Sequence, residues 1–442
     1  MRLSAWLPIA VLSAATACAA TRPHYGGTLR VEMRAAPATL DLAAADAAPL
    51  ISLAFETLVR LDAEGAPQPC LALSWQHDAA AKRWQFNLRP GVKFHDGSPL
   101  TAASVAASLQ AALPSVTIAA TATSDAAVIA IRASHPLPDL LLDLAHNGLL
   151  ATGPFRPTAF EPGHHAAFAA NEDYWGGRPF LDAIDVQLGR SLRDQLADLE
   201  LGKADVVEVA PTDLRRASDH GWTVWSSLDV RLIALAFAPG HADDARLREA
   251  LALSIDRAAM HTFLLQKQGE PTAALLPQWI SGYAFAFPAA LDLPRARALA
   301  NALPSAARTL TLTYDPAMRV ARPLAERVAV NARDAGLALQ VSPQNPRADV
   351  RLVEIRVASL DPERALAGLA AALGLEVPGP SASPAALYES ERKLLDGFRA
   401  IPLFQLPVLY GAASRVRVYA SPAVTRLGDW RFDNVWLSGT AP

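Results

Sequence analysis

Residues 84–105 read WQFNLRPGVKFHDGSPLTAASV. Trp84, Phe86 and Leu88 alternate with Gln85, Asn87 and Arg89, the period of a strand with one buried face. Pro90-Gly91 fits a tight turn, and Val92 and Phe94 resume the alternation. His95-Asp96-Gly97 then fits a second turn, with Gly97 taking positive φ at little cost. Thr101 is placed to N-cap a helix whose apolar face includes Val105 and Leu109. Ser104 replaces the acidic residue that would complete a capping box, so the box is expected to be incomplete. Metal binding at His95 and Asp96 would need three or four converging ligands, and the neighbouring sequence supplies none. The stretch is a hairpin corner and a helix start.

The rest of the chain sets the scale. Its 442 residues exceed one ordinary core and predict two or three domains. With 51% hydrophobic and 19% charged residues there is ample apolar material to bury. A formal charge of −3 without a long basic run argues against a nucleic-acid partner. The first twenty residues carry Arg2, an apolar stretch from Leu3 to Ala17 and then small residues. That is the pattern of a secretory signal peptide over residues 1–20, too short for a comfortable membrane span. Cys18, in "ATAC", resembles a lipobox cysteine, although Ala15 stands where Leu is usual. Lipidation of Cys18 and plain cleavage after Ala17 or Ala19 both remain open. Cys70, in "PCLAL", is expected to be a small buried residue rather than half of a disulfide.

Outward from the opening stretch, "GGTLRVEM" reads as a strand with Leu29, Val31 and Met33 on one face. "PLISLAFETLVRL" reads as helical, as does "PLPDLLLDLAHNGLL", and "ATGPFRP" marks a domain crossing. From about residue 230 the pattern becomes α/β. "VRLIALAF" is a nearly continuous apolar strand. "DDARLREALALSIDRAAM" predicts one amphipathic helix with Leu247, Leu251, Ile255 and Ala258 on its stripe and Asp243 or Asp244 at its start. "RTLTLTY", "ARPLAERVAVNARDAG" and "LALQV" give strand, helix and strand, hence a right-handed crossover and a parallel pair.

No GxSxG elbow, P-loop, HExxH or dinucleotide fingerprint is present. His164-His165 is the densest imidazole cluster, in a surface loop, and two adjacent histidines do not complete a metal site. Solvated side chains or a transition-metal role both stay open there. No constellation for catalysis emerges, and no cofactor is implied.

Six segments, in order, resemble bacterial extracellular solute-binding proteins of family 5, the peptide- and nickel-binding subunits of ABC importers. They are "GGTLRVEMRAAPATLDL", "FETLVRLDAEGAPQPCLALSW", the opening stretch, "ATGPFRPTAF", "NEDYWGGRPFLDAIDV" and "RLREALALSIDR". The match runs over residues 25–260 and continues more thinly to about 420, where "LYESERKLLDGFRAIPLFQLPVLY" resembles the family's closing segment. The resemblance implies an α/β, periplasmic-binding-protein-like fold of two lobes joined by hinge strands, with an extra subdomain in the first lobe. Its expected extents are 21–47, 153–236 and 400–442 for lobe I, 48–152 for the subdomain and 237–399 for lobe II. It also implies a monomer in the periplasm that captures a small-molecule or peptide ligand and delivers it to an ABC transporter permease. Contact with the membrane comes only through the permease or a lipid anchor.

Departures from the family pattern bear on the ligand. Taking Asp361-Pro362 as the family's Asp-Pro, Ala358 and Ile355 stand where an acidic residue and a Trp often hold a peptide's ammonium group. The ligand is therefore expected not to be an ordinary free-amine peptide, or transport is lost. Ligand contacts are expected at Met33 and Arg34 after the first strand, Trp279 and Tyr283 on a second-lobe loop, Tyr314 at a strand end, and Arg356. Arg34 and Arg356 together would suit a carboxylate or another anion. A nickel- or haem-type metal carrier and an exported enzyme with a scattered site are the alternatives.

Overall fold

The stretch 84–105 contributes the strand Arg83–Leu88, with Trp84, Phe86 and Leu88 buried. It pairs with Ala72–His77 on one side and Ala127–Arg132 on the other, and Thr117–Ala122 completes a four-stranded antiparallel sheet. Asp96 accepts from the Ser98 amide at 2.8 Å, and Gly97 has φ +82°. The half-buried His95 ring donates from Nε2 to the Gly153 carbonyl at 3.1 Å. Both side chains thus spend their polar atoms on nearby backbone, as corner residues do. Thr101 caps the helix Ala102–Ala112. Here the expectation of an incomplete capping box is corrected. The Ser104 hydroxyl accepts from the Thr101 amide at 3.0 Å, and Thr101 Oγ1 accepts from the Ser104 amide at 3.1 Å. A serine oxygen fills the acceptor role that Glu usually takes.

The structure is a computed structural model that describes residues 22–40, 45–62, 66–78, 80–122, 127–137, 140–145, 150–240, 242–318, 320–357, 359–379, 381, 383–420 and 422–439. The leader with Cys18, and Ala358, lie outside the described residues.

A mixed sheet of eleven strands runs through the molecule. Its order is Ala338–Pro343, Thr309–Tyr314, Val350–Arg356, Thr223–Phe237, Ala400–Ala412, Val206–Glu208, Thr28–Glu32, Ala183–Gln187, His165–Ala170 and Phe155–Glu161. The short strand Glu270–Pro271 also pairs with Ala400–Ala412. Thr309–Tyr314 and Ala338–Pro343 are parallel and joined through the helix Ala321–Asp334. That helix buries Leu324, Ala325, Val328 and Ala332 on one stripe, as its 3.6-residue spacing dictates.

Two α/β lobes result, with a subdomain on the first. The first lobe's core gathers Leu29, Val31, Met33, Phe155, Phe168, Trp430 and Phe432. The second lobe's larger core gathers Leu247, Leu251, Leu312, Leu324, Val350 and Phe404. Leu58, Trp84, Phe86, Val105, Leu109 and Ile131 form the subdomain's own core, which also takes Cys70. Burial pushes the Cys70 thiol up to about 12, so it packs as a small apolar group. The helix Ala48–Ala54 packs in the first lobe's core, and the subdomain core starts at Leu58.

Two predicted helices differ from expectation. The segment at 243–260 folds as two helices, Ala245–Ser254 and Arg257–Phe263. Asp256 breaks it, because its Oδ1 caps the Ala259 amide at 2.9 Å and competes with continuation. Leu247, Leu251 and Ile255 are buried as predicted, but Ala258 is exposed after the break. The helix expected through "PLISLAFETLVRL" stops at Ala54, and Val59–Leu61 is a short strand.

Candidate functional site

Two long antiparallel strands, Thr223–Phe237 and Ala400–Ala412, carry the chain from one lobe's core to the other. Val230 packs in the first core and Ile233 in the second; Leu406 packs in the second and Val408 in the first. Register shifts fall between Ser226 and Asp229, and between Asp229 and Arg231. Bulges of this kind bend a strand and re-aim its side chains. Asp229 sits at this bend, its carboxyl pushed up to about 7 by burial and by the Glu270 charge.

A cavity of about 590 Å³ opens at the crossing and is lined from both lobes. Met33, Arg34, Glu208 and Tyr410 line it from one side, and Met318, Leu352, Glu354 and Arg356 from the other. A volume in the hundreds of Å³ is the size of a small-ligand site.

Four charges close a ring on the cavity wall. Arg34 Nη2 donates to Glu354 Oε2 at 2.7 Å, and Arg231 Nη1 donates to Glu354 Oε1 at 3.1 Å. Arg231 Nη2 donates to Glu208 Oε2 at 3.0 Å, and the Arg34 amide donates to Glu208 Oε1 at 2.9 Å. Every carboxylate oxygen of the two glutamates is satisfied. Burial pushes the Glu208 carboxyl up, but Arg231 and Arg34 outweigh it and hold the group below its usual range. Burial likewise works against the Arg231 charge, and Glu354 and Glu208 more than offset it, so Arg231 stays charged. Behind the ring a small recess of about 30 Å³, with room for one water, shares Arg34, Arg231 and Glu354.

Of the expected ligand contacts, Met33, Arg34 and Arg356 line this cavity together, and Trp279, Tyr283 and Tyr314 are not among its lining residues. The Trp279 indole packs on the first lobe's core and donates to the Asp229 carbonyl at 3.0 Å. The Tyr283 ring packs at a tilt against Phe287 and edge-to-face with Tyr388, its hydroxyl against Glu391. Tyr314 packs on the second lobe's core. All three rings are half-buried, each packed against a core. Both guanidiniums of the expected anion site hold protein acceptors. Arg34 is bound by Glu354, and Arg356 Nη2 donates to Asp429 Oδ1 at 2.6 Å and to the Leu427 carbonyl at 2.8 Å.

Glu208, Arg231 and Glu354 were missed, although each is a charge inside an apolar run: "VVEVA", "VRLIALAF" and "RLVEIRV". Charges in buried strands are rare enough to signal a site or a paired network. His165 pairs with Asp185 at 2.9 Å on a hairpin. Among the described residues no group of three or more His, Cys, Asp and Glu side chains could hold a metal ion. No helix among them is long and apolar enough to cross a membrane.

Two α/β lobes on paired crossing strands, with a lined cavity where they meet, define the architecture of a two-lobed binding protein. The family model for bacterial extracellular solute-binding proteins, family 5 Middle, matches residues 66–137 and 142–370, and the chain belongs to that family. It is similar to the "Probable D,D-dipeptide-binding periplasmic protein DdpA" of Escherichia coli (strain K12), 24% identical over 281 residues, covering 55% of this chain and 54% of the other. A nickel-binding periplasmic protein of the same organism is 25% identical over 248 residues, 47% of each chain. The chain thus spans about half the length of the curated relatives it matches. The crystal structure of NikZ from Campylobacter jejuni in complex with Ni(L-His) aligns with a TM-score of 0.78 at 16% identity, over 92% of this chain and 99% of that one. That likeness establishes the shared fold.

Proposed function

We propose that this chain is the substrate-binding subunit of an ABC-type importer. It closes its lobes on a small or peptide-like solute in the 590 Å³ cavity and presents the closed form to a membrane permease. The observation that carries this reading is the cavity's position, lined from both cores where the two long strands change lobe. Contacts to both lobes stabilise the closed form, so ligand shifts the population toward it. We assign lobe I, subdomain and lobe II near the expected bounds with three shifts that the core packing supports: the helix Ala48–Ala54 goes with lobe I, and the crossings fall at 230–233 and 406–408 rather than at 236–237 and 399–400. The hinge lies within the long strands at 230–233 and 406–408. Residues 1–20 direct export to the periplasm, where the protein acts as a monomer without catalysis, free or anchored through Cys18.

The experiment is calorimetric titration of residues 21–442 with a solute library that includes di- to pentapeptides. One-to-one binding in the micromolar range, about 8 kcal/mol, is the expected result. Substrate turnover in the same assays, or no binding by any solute class, would count against it.

A further inference from the structure

Among the described residues, the charges that line the cavity do not balance. Arg34 and Arg231 are matched by Glu354 and Glu208, and Arg356 is matched by Asp429. Two lining carboxylates remain. Asp46, on the turn before the helix Ala48–Ala54, faces the cavity from the first lobe. Asp315, just after the strand Thr309–Tyr314, faces it from the second. Both are exposed, and neither forms an ion pair among the described residues; Asp315 Oδ1 accepts only the Ala317 amide, at 2.9 Å. Closing the lobes encloses two like charges in one space of falling dielectric, which is unfavourable unless a positive charge enters with them.

Resting on the solute-capture reading above, we infer that the cavity selects an organic cation, an amine- or guanidinium-bearing solute whose positive charge lies between Asp46 and Asp315. Between the paired charges the wall carries apolar side chains, Met33, Met318, Leu352 and Val408, that suit the body of such a solute. A ligand carboxylate gains little here, because each guanidinium must first leave a carboxylate it already holds. A bare metal ion is a poor match, because two carboxylates on opposite walls leave most of its coordination sphere empty. The acidic residue that the sequence lacks at Ala358 is thereby replaced in role by Asp46 and Asp315, an arrangement that alignment to a family motif does not reveal.

The test uses residues 21–442 and three probe sets of matched size: linear di- and polyamines with alkylguanidines, their N-acetylated neutral forms, and linear dicarboxylates. Calorimetry should show binding confined to the cations, weakened by raising KCl from 0.02 to 0.5 M. Asp46→Asn and Asp315→Asn should each weaken it about 10- to 100-fold, the range for one hydrogen bond to a charged group. Both sites are exposed, so the melting temperature of the ligand-free variants should match the parent. Preferred binding of the neutral or acidic probes, or cation binding unchanged in both variants, overturns the inference while leaving solute capture standing. Binding by none of the three sets overturns the inference, and solute capture falls with it only if the library with di- to pentapeptides also fails to bind.

Discussion

Two buried glutamates, one on the cavity wall and one in the second lobe's interior, show how differently this chain treats a carboxyl group. Glu208 accepts from the Arg34 amide and from Arg231, and those guanidiniums hold it ionised. Glu391, fully buried on the helix Pro384–Leu395, accepts only from the Leu275 and Leu276 amides, with the Tyr283 hydroxyl against it. Burial then wins, and its carboxyl is pushed up to about 7. Both receive backbone N–H groups. Counter-charge decides the difference. The cavity wall is built as a closed ionic network, whereas the lobe interior holds a group that is easiest to bury when neutral.

The largest expected effect comes from opening the ring. Glu354→Ala strips Arg34 of its carboxylate and leaves Arg231 with Glu208 alone. These side chains are mostly but not fully buried, so removing the shared partner should cost about 3–4 kcal/mol, the lower part of the buried-pair range, measurable by urea unfolding followed by tryptophan fluorescence. A loss below ~1 kcal/mol would mean the ring is solvated like a surface pair.

Next is the pH dependence of Glu391. A carboxyl raised from 4.5 to about 7 on folding favours the folded state while protonated. Its contribution is complete below about pH 4.5 and is lost as pH rises through 7, on the order of 3 kcal/mol. Glu391→Gln should flatten that slope. Glu208 has the opposite sign: its contribution is present at neutral pH and is lost on acidification through its depressed value. A slope between pH 4.5 and 7 unchanged in Glu391→Gln would erase the contrast between the two sites.

Smaller still is Arg356→Met, which breaks the Asp429 bond near the cavity's edge and should cost about 2 kcal/mol. Thr101→Ala provides the control far from either glutamate. Losing the helix cap should cost about 1 kcal/mol, with no dependence on pH between 5 and 8.

What was legible in the sequence follows from range. The corner at 95–97, the cap at Thr101 and the strand Arg83–Leu88 are set by neighbours a few residues apart, and they were readable. So was the parallel pair flanking Ala321–Asp334, because strand–helix–strand order fixes it. The cavity wall gathers residues from 33–36, 46, 49, 208, 231, 315, 317, 318, 352–354, 356, 408 and 410, which only the tertiary fold brings together. Arg34 was found at a strand end. Its neutralisation by Glu354, 320 residues away, was invisible locally. Trp279 and Tyr283 were placed only on a second-lobe loop, and their half-buried packing against two different cores depends on residues far off in sequence. The stretch 243–260 read as one helix because its apolar stripe runs on from Ile255 to Ala258, yet the Asp256 side chain between them made a cap.

Capture of solute in the cavity is tested most directly by native mass spectrometry of residues 21–442 after periplasmic expression, beside an Ala36→Trp/Ala317→Trp variant. Both alanines are exposed on the cavity lining, so the added rings fill the space without entering a core. The account predicts an added mass on the parent that is lost on denaturation and absent from the filled variant. The same added mass on both proteins would contradict it, because the solute would then sit elsewhere.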